Sequence, residues 1–162
     1  MTIEYCVAWH KNDPRYEADA RVIWSDPELL PDNNEIEIRA KQLAIVAYSD
    51  GQLAAMTTLN VRPFDHLRQK FAFIRGYVTP AFRLNAVGRD IMRETQKMIE
   101  NWALDNPEEQ IAGMAAVIQV PGVGQNPAGG NTGLVLMGYT QSNEQVRAAW
   151  FEHFRIPGNF TN

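Results

Sequence analysis

Hydrophobic and polar positions along the chain predict one element after another. Ile3, Tyr5 and Val7 alternate against Glu4 and Cys6, so Ile3–Trp9 reads as a first strand. Asp13-Pro14 reads as an N-cap followed by proline at the first helical position. Tyr16, Ala20, Ile23 and Trp24 then recur at i, i+4, i+7 and i+8, the spacing of one helix face. Ser25-Asp26-Pro27-Glu28 has capping-box spacing and predicts a short second helical piece closed by Pro31, with Pro31-Asp32-Asn33-Asn34 as a turn-rich break. Leu43–Tyr48 is a short apolar run of strand formers. Ser49-Asp50-Gly51 supplies a tight turn, because glycine tolerates positive φ and aspartate bonds locally to the backbone. Leu53–Arg62 completes a hairpin, with Leu53, Ala55, Thr57, Leu59 and Val61 on one face and Met56, Thr58, Asn60 and Arg62 on the other.

Phe71–Val78 is a further strand, ended by Pro80. After a polar loop, Val87, Ile91, Thr95, Met98 and Trp102 form a helical stripe down to Asp105-Asn106-Pro107, and Ile111–Val120 is another buried strand. Pro121–Gly133 is glycine-rich and reads as loop. The tail carries two patterns. Ser142 and Gln145 with Val146, Ala149, Trp150 and Phe154 suit a capped helix, whereas Arg147, Ala149, Phe151, His153 and Arg155 alternate as a strand does. Antiparallel strands followed by a strand–loop–helix–strand unit imply an α/β domain with a mixed sheet and helices on its faces, one domain over residues 1–162.

Composition narrows the class. The chain has 162 residues, 45% of them hydrophobic and 21% charged, which suits one globular domain. The apolar runs fall well short of the roughly 18 residues a membrane span needs. Lys and Arg number 15 against 19 Asp and Glu, a net charge of −4, so no overall attraction to nucleic acid or an anionic membrane is expected. Nothing near the start has the form of a secretory signal, and the single Cys6 allows no internal disulfide; a cytoplasmic location is the expectation. His10, His66 and His153 lack metal-ligand spacing.

One stretch carries chemistry: Tyr77-Val78-Thr79-Pro80-Ala81-Phe82-Arg83-Leu84-Asn85-Ala86-Val87-Gly88-Arg89. A strand stops at a proline, and a loop containing Arg and Gly opens straight into an amphipathic helix. The first N–H groups of a helix have no internal acceptor and carry the positive end of its dipole, so this is an anion site in outline. Arg83 and Arg89 can add charge-assisted bonds to phosphate. There is no Gly-Lys-Ser/Thr for a Walker loop, and Gly122-Val123-Gly124 is followed by Pro127 where a dinucleotide fingerprint needs glycine.

This stretch resembles the pyrophosphate loop of the GNAT superfamily of acyl-CoA-dependent N-acyltransferases, Gln/Arg-x-x-Gly-x-Gly/Ala after a strand ending Val-x-Pro. Here the residues are Val78-Thr79-Pro80 and then Arg83-Leu84-Asn85-Ala86-Val87-Gly88, with Ala86 where the family has its first glycine. The order of elements agrees over Leu43–Val120, about half the chain. The resemblance implies a mostly antiparallel sheet with a splayed central pair, Phe71–Val78 and Ile111–Val120, and terminal strands in the tail. It implies acetyl-CoA as co-substrate, with Tyr77 and Val78 offering main-chain contacts to pantetheine and Arg83, Leu84, Asn85, Ala86, Val87, Gly88 and Arg89 around the pyrophosphate. The implied reaction is direct acetyl transfer to a primary amine on a small molecule or peptide.

The family's proton-transfer groups are less evident. Phe71–Val78 holds no carboxylate for the usual base, and the candidates are His66, with Asp65 beside it in the preceding loop, Glu37 before the hairpin, and His10 after the first strand. The family's acid is a tyrosine in a helix after the next strand, a few residues before a Gly-aromatic pair. Leu134–Tyr139 keeps the pair as Gly138-Tyr139 without that tyrosine, which leaves Tyr139 as the candidate acid. The alternative is a CoA-binding or structural protein that keeps the fold without catalysis. An exposed sheet edge in the tail is compatible with a homodimer.

Overall fold

The computed structural model of the protein describes residues 2–29, 32–120 and 124–158. Among them the order is β1 (Ile3–Val7), α1 (Pro14–Trp24), α2 (Asn33–Ala40), β2 (Leu43–Ser49), β3 (Gln52–Phe64), β4 (Gln69–Val78), α3 (Val87–Asp105), β5 (Ile111–Ile118), β6 (Val135–Tyr139) and β7 (Gln145–Trp150). The seven strands form one sheet in the order β1-β2-β3-β4-β5-β7-β6. The β1·β2, β2·β3, β5·β7 and β6·β7 pairs are antiparallel. The chain therefore adopts the expected α/β class with a mostly antiparallel sheet. No helix among the described residues is long and apolar enough to cross a membrane. Contacts group the chain into two compact units, Met1–Asn60 with Ile74–Met98, and Val61–Phe73 with Ile99–Asn162.

In the first unit the helices cover both sheet faces. α1 and α2 bury Ala20, Trp24, Ile36 and Ala40 against Leu43, Val46, Tyr48 and Met56. On the opposite face α3 places Val87 and Ile91 against Ile45, Ala47, Ala54 and Ala55. The α1 cap forms as expected, with Asp13 Oδ1 accepting from Arg15 N at 2.9 Å. The turn of the hairpin also forms as expected, Asp50 and Gly51 both taking positive φ (49° and 78°) between paired Ser49 and Gln52.

Three expectations are corrected. Ser25 caps nothing downstream; its hydroxyl donates back to Val22 O at 2.7 Å, closing α1, while Asp26 Oδ1 accepts from Glu28 N in a turn. Pro31, the expected stop of a second helical piece, lies outside the described residues. The break expected at Asp32–Asn34 is instead a helix start: Asp32 Oδ1 accepts from Asn34 N at 2.9 Å and opens α2.

The third correction concerns β3. Ala44 is an extra residue in β2 between the pairs Leu43↔Thr58 and Ile45↔Thr57, and Ala54 is extra in β3 between Ala47↔Ala55 and Tyr48↔Leu53. Each bulge reverses the alternation, so Leu53 and Met56, expected on opposite faces, join the same cluster on the α1–α2 side. Thr57 then faces α3, where its hydroxyl meets that of Thr95 at 2.7 Å while Thr95 donates to Ile91 O at 2.8 Å.

Glu17, almost fully buried on α1, ties the two helices together. Lys41 Nζ reaches both its carboxylate oxygens at 2.9 Å and Arg21 reaches one at 3.1 Å. Burial pushes this carboxyl upward, but the bonds from Lys41 and Arg21 outweigh it and hold it below the ordinary glutamate value of 4.5. A lowered folded value means stability that is complete above about pH 4.5 and fades as pH falls through the folded value. Lys41 and Arg21 keep access to solvent, so Glu17→Gln is expected to cost about 1 kcal/mol at neutral pH. Urea unfolding from pH 7 to pH 3 checks this: the gap between the two proteins should close below pH 4.5.

In the second unit β5, β7 and β6 form an antiparallel sheet floored with small residues. Phe64, Phe71 and Phe73 cluster with Ala112, Ala115 and Ala148, and Phe71 lies edge-on to Trp150 with ring centroids 5.0 Å apart. The tail thus resolves as strands β6 and β7, as the family resemblance implied, and not as a capped helix. Pro121–Val123 of the expected loop lie outside the described residues. The part from 124 to 134 is loop with one 3-10 turn, Gly130–Thr132.

Candidate functional site

The loop between β4 and α3 is positioned by the bulge at Ala54. Its carbonyl accepts both Thr79 N at 2.9 Å and Thr79 Oγ1 at 3.1 Å, pinning the residue that follows β4. Pro80 starts a 3-10 turn over Pro80–Phe82, closed by Phe82 N to Thr79 O at 2.9 Å. The chain turns again through Arg83–Ala86, and Ala86 O accepts from Asp90 N at 3.0 Å as α3 begins. The N–H groups of Val87, Gly88 and Arg89 therefore head a helix of 19 residues without intrahelical acceptors. Val87 is buried beneath them, while Arg83, Leu84, Asn85 and Ala86 are exposed.

Side-chain packing separates the roles of the expected cofactor residues. Tyr77 packs toward the α1–α2 cluster and Val78 toward the α3 cluster. A Cβ on Gly88 would meet Val78 Cγ2 at 3.1 Å, so this glycine lets α3 approach the end of β4. Ala86, at the position of the family's first glycine, is exposed, so its methyl fills no space between packed elements. Leu84 is fully exposed. Arg83 Nε donates to Val78 O at 3.3 Å, and Arg89 Nε pairs with Asp90 at 3.0 Å. An arriving anion would compete with Asp90 for Arg89, whereas Arg83 holds only a neutral carbonyl.

The proton-transfer candidates fall in two places. Glu37 is on α2, where Arg21 holds both its oxygens at 2.8 and 2.9 Å. That guanidinium keeps the Glu37 carboxyl below its ordinary value, which makes it a poor proton acceptor. His66 lies in the 3-10 turn Asp65–Leu67 between β3 and β4, and Tyr139 ends β6. These two line one cleft of about 280 Å³ together with Phe64, Met137, Gly138 and Val146. Residues 73 positions apart are thereby brought together, which no local motif signals. His10 stacks edge-on with Trp9, ring centroids 4.4 Å apart. The absence of the family's acid has a structural counterpart: the described residues between β5 and β6 contain no α-helix to carry a tyrosine.

Arg147 enters the sequence pattern only as one position of an alternating strand, yet it is the most heavily bonded side chain near the loop from 124 to 134. It sits in β7 only 4% exposed, with Nη1 donating to Asn126 O at 2.8 Å and Leu134 O at 3.1 Å, Nη2 to Gly124 O, and Nε to Gln145 Oε1 at 2.9 Å. Its one sequence signal is a charge within the apolar run of Val146, Ala148, Ala149 and Trp150.

No protein-family model matches the sequence, and no curated protein matches it. Solved structures do match in fold. An acetyltransferase of the GNAT family from Streptococcus pneumoniae aligns with a TM-score of 0.57 at 13% identity, over 93% of this chain and 99% of that one. A Salmonella typhimurium protein solved with its cofactor acetyl-CoA aligns at 0.61 and 14% identity, over 98% and 99%. An N-acetyltransferase from Staphylococcus aureus aligns at 0.54 and 10%, over 93% and 97%. Sheet order, the β4–loop–α3 junction and these full-length alignments agree: the chain has the fold of the GNAT acetyltransferases.

Proposed function

We propose that the protein is an N-acyltransferase that takes an acetyl group from acetyl-CoA and transfers it directly to a primary amine. The observation that carries this reading is the start of α3, whose first N–H groups have no intrahelical acceptor and follow the exposed Arg83–Ala86 loop, delivered by a strand whose end is pinned through Thr79 to the Ala54 bulge. The N–H groups of Val87, Gly88 and Arg89 would hold the pyrophosphate, Arg83 would add charge, and the main chain of Tyr77 and Val78 would bond the pantetheine arm. The thioester supplies the acyl group: a C–N bond forms as the C–S bond breaks, the amine gives up one proton and the thiolate takes one. Main-chain N–H groups aimed at the thioester oxygen would stabilise the charge that develops there. Glu37, held ionised by Arg21, is left out of the proton transfer.

Calorimetric titration with acetyl-CoA, against CoA and adenosine diphosphate, tests the cofactor. Saturable binding of acetyl-CoA is expected, weakened about tenfold by Arg83→Ala, the worth of a charge-assisted bond. Arg83 is exposed, so the melting temperature should not move. Unchanged affinity in that variant overturns the assignment. A second reading, a CoA-binding protein without catalysis, is favoured by the lack of a carboxylate on β4 and of an α-helix among the described residues between β5 and β6. It gives the same titration but no thiol release from acetyl-CoA with any amine.

A further inference from the structure

The cleft that His66 and Tyr139 share has a composition of its own. Its volume of about 280 Å³ lies just below the range of drug-sized pockets. Much of the wall is carbon: the Phe64 ring, the Met137 thioether stem and Val146. Phe64 is fixed from behind, its ring 5.6 Å from both Phe71 and Phe73. Met137 is the extra residue where the β6·β7 register slips between Leu136 and Gly138, and such a bulge re-aims the side chain it carries. His66 and Tyr139 add an imidazole and a phenol to this apolar wall.

The hairpin that carries His66 also carries charge without a counter-ion. Arg62, Arg68 and Lys70 stand there against the single carboxylate of Asp65. None of the three makes an ion pair among the described residues. Arg62 Cζ lies over the Phe73 ring, 3.6 Å from its centroid, a contact that holds the guanidinium without neutralising it. In a chain of net charge −4, unneutralised positive charge on the hairpin that walls an apolar cleft favours an anion with an apolar body.

We propose that this cleft binds a small aromatic carboxylate of about a dozen non-hydrogen atoms. The ring lies against Phe64, Met137 and Val146, where ring–ring and sulfur–ring contacts favour it over an aliphatic chain. The carboxylate meets His66 and Tyr139 in the field of the hairpin's three cations. The site does not depend on acetyl-CoA binding, and each can fail without the other.

Titration of the full chain with 3-phenylpropionate, in the absence of CoA, tests it, with 3-phenylpropanol and propionate as comparators. Saturable sub-millimolar binding of the acid is expected, about tenfold weaker for the alcohol and undetectable for propionate. Met137→Trp, which fills the cleft, should abolish binding, and Tyr139→Ala should weaken it about tenfold; both positions are partly exposed, and melting curves check that the variants fold. Equal affinity for acid and alcohol, no saturation by about 10 mM, or wild-type affinity in a folded Tyr139→Ala or Met137→Trp protein each overturns the proposal.

Discussion

Gly113→Ala should destabilise the protein by about 3 kcal/mol or more, a large loss for one methyl group. Gly113 lies in β5 opposite Trp150 of β7. A Cβ there would overlap the carbonyl oxygen of Ala149, approach its carbonyl carbon to 3.0 Å and come within 2.7 Å of Phe71 Cε1. The carbonyl belongs to the strand paired with β5, so moving it disturbs β5·β7 pairing. Phe71 has no exposure at all and is bounded by Phe64 and Trp150, so its ring has nowhere to go. Gly51→Ala provides the contrast. Gly51 has open space around it but a φ of 78°, so alanine there meets backbone strain alone and should cost about 1 kcal/mol. Urea unfolding of the two variants measures the difference. Equal losses would mean that glycine's backbone freedom, and not the close approach of Ala149, is what position 113 needs. Trimming the ring in a Gly113→Ala, Phe71→Leu double variant should recover only part of the loss, because the carbonyl overlap remains.

What could be read from the sequence was set by the range of the interaction behind it. Asp13-Pro14, the Asp50-Gly51 turn and the Arg83–Gly88 loop are local, and each forms where its few residues indicate. The α3 stripe was also visible, although in its lower half Ile99 and Ala103 are buried rather than Met98 and Trp102. α2 was hidden because Ile36 and Ile38 alternate as in a strand; only Ile36 and Ala40, four apart, turn inward, while Ile38 stays exposed. The bulges at Ala44 and Ala54 were invisible because alanine fits either face. Yet the second of them, through Thr79, sets the direction from which the candidate anion site is entered. For the same reason local pattern marks His66 and Tyr139 only as separate proton-transfer candidates. Their shared cleft depends on a hairpin tip meeting a distant strand, and no spacing along the chain encodes that.

Arg147→Met is expected to lose about 3 kcal/mol and to release the segment from 124 to 134, although methionine keeps the apolar stem. The guanidinium of Arg147 is buried, and among the described residues it pairs with no carboxylate. Its charge is balanced by dipoles: the carbonyls of Gly124, Asn126 and Leu134, and the Gln145 amide oxygen. A planar cation with five donors can serve several acceptors at once, which a lysine ammonium on a flexible stem cannot reproduce. Arg147→Lys should therefore recover less than half of the loss. Leu134 O is the costliest acceptor to abandon, since the bond it receives is buried; the carbonyls of Gly124 and Asn126 can turn to water. Gly124 belongs to the same arrangement, with φ at 82° and space for a Cβ only 2.6 Å from Gln145 Oε1 and 3.1 Å from Arg147 Nε. Gly124→Ala should thus reproduce part of the Arg147 phenotype by displacing these groups. Limited proteolysis and amide hydrogen exchange read the local effect: in both variants cleavage should move into residues 124–134 before the sheet unfolds. Should the segment stay protected in Arg147→Met, its hold must come from its own backbone instead. The bond from Leu136 N to Pro127 O at 2.9 Å and the Thr132 turn onto Gly129 would then suffice, and the buried charge would be dispensable.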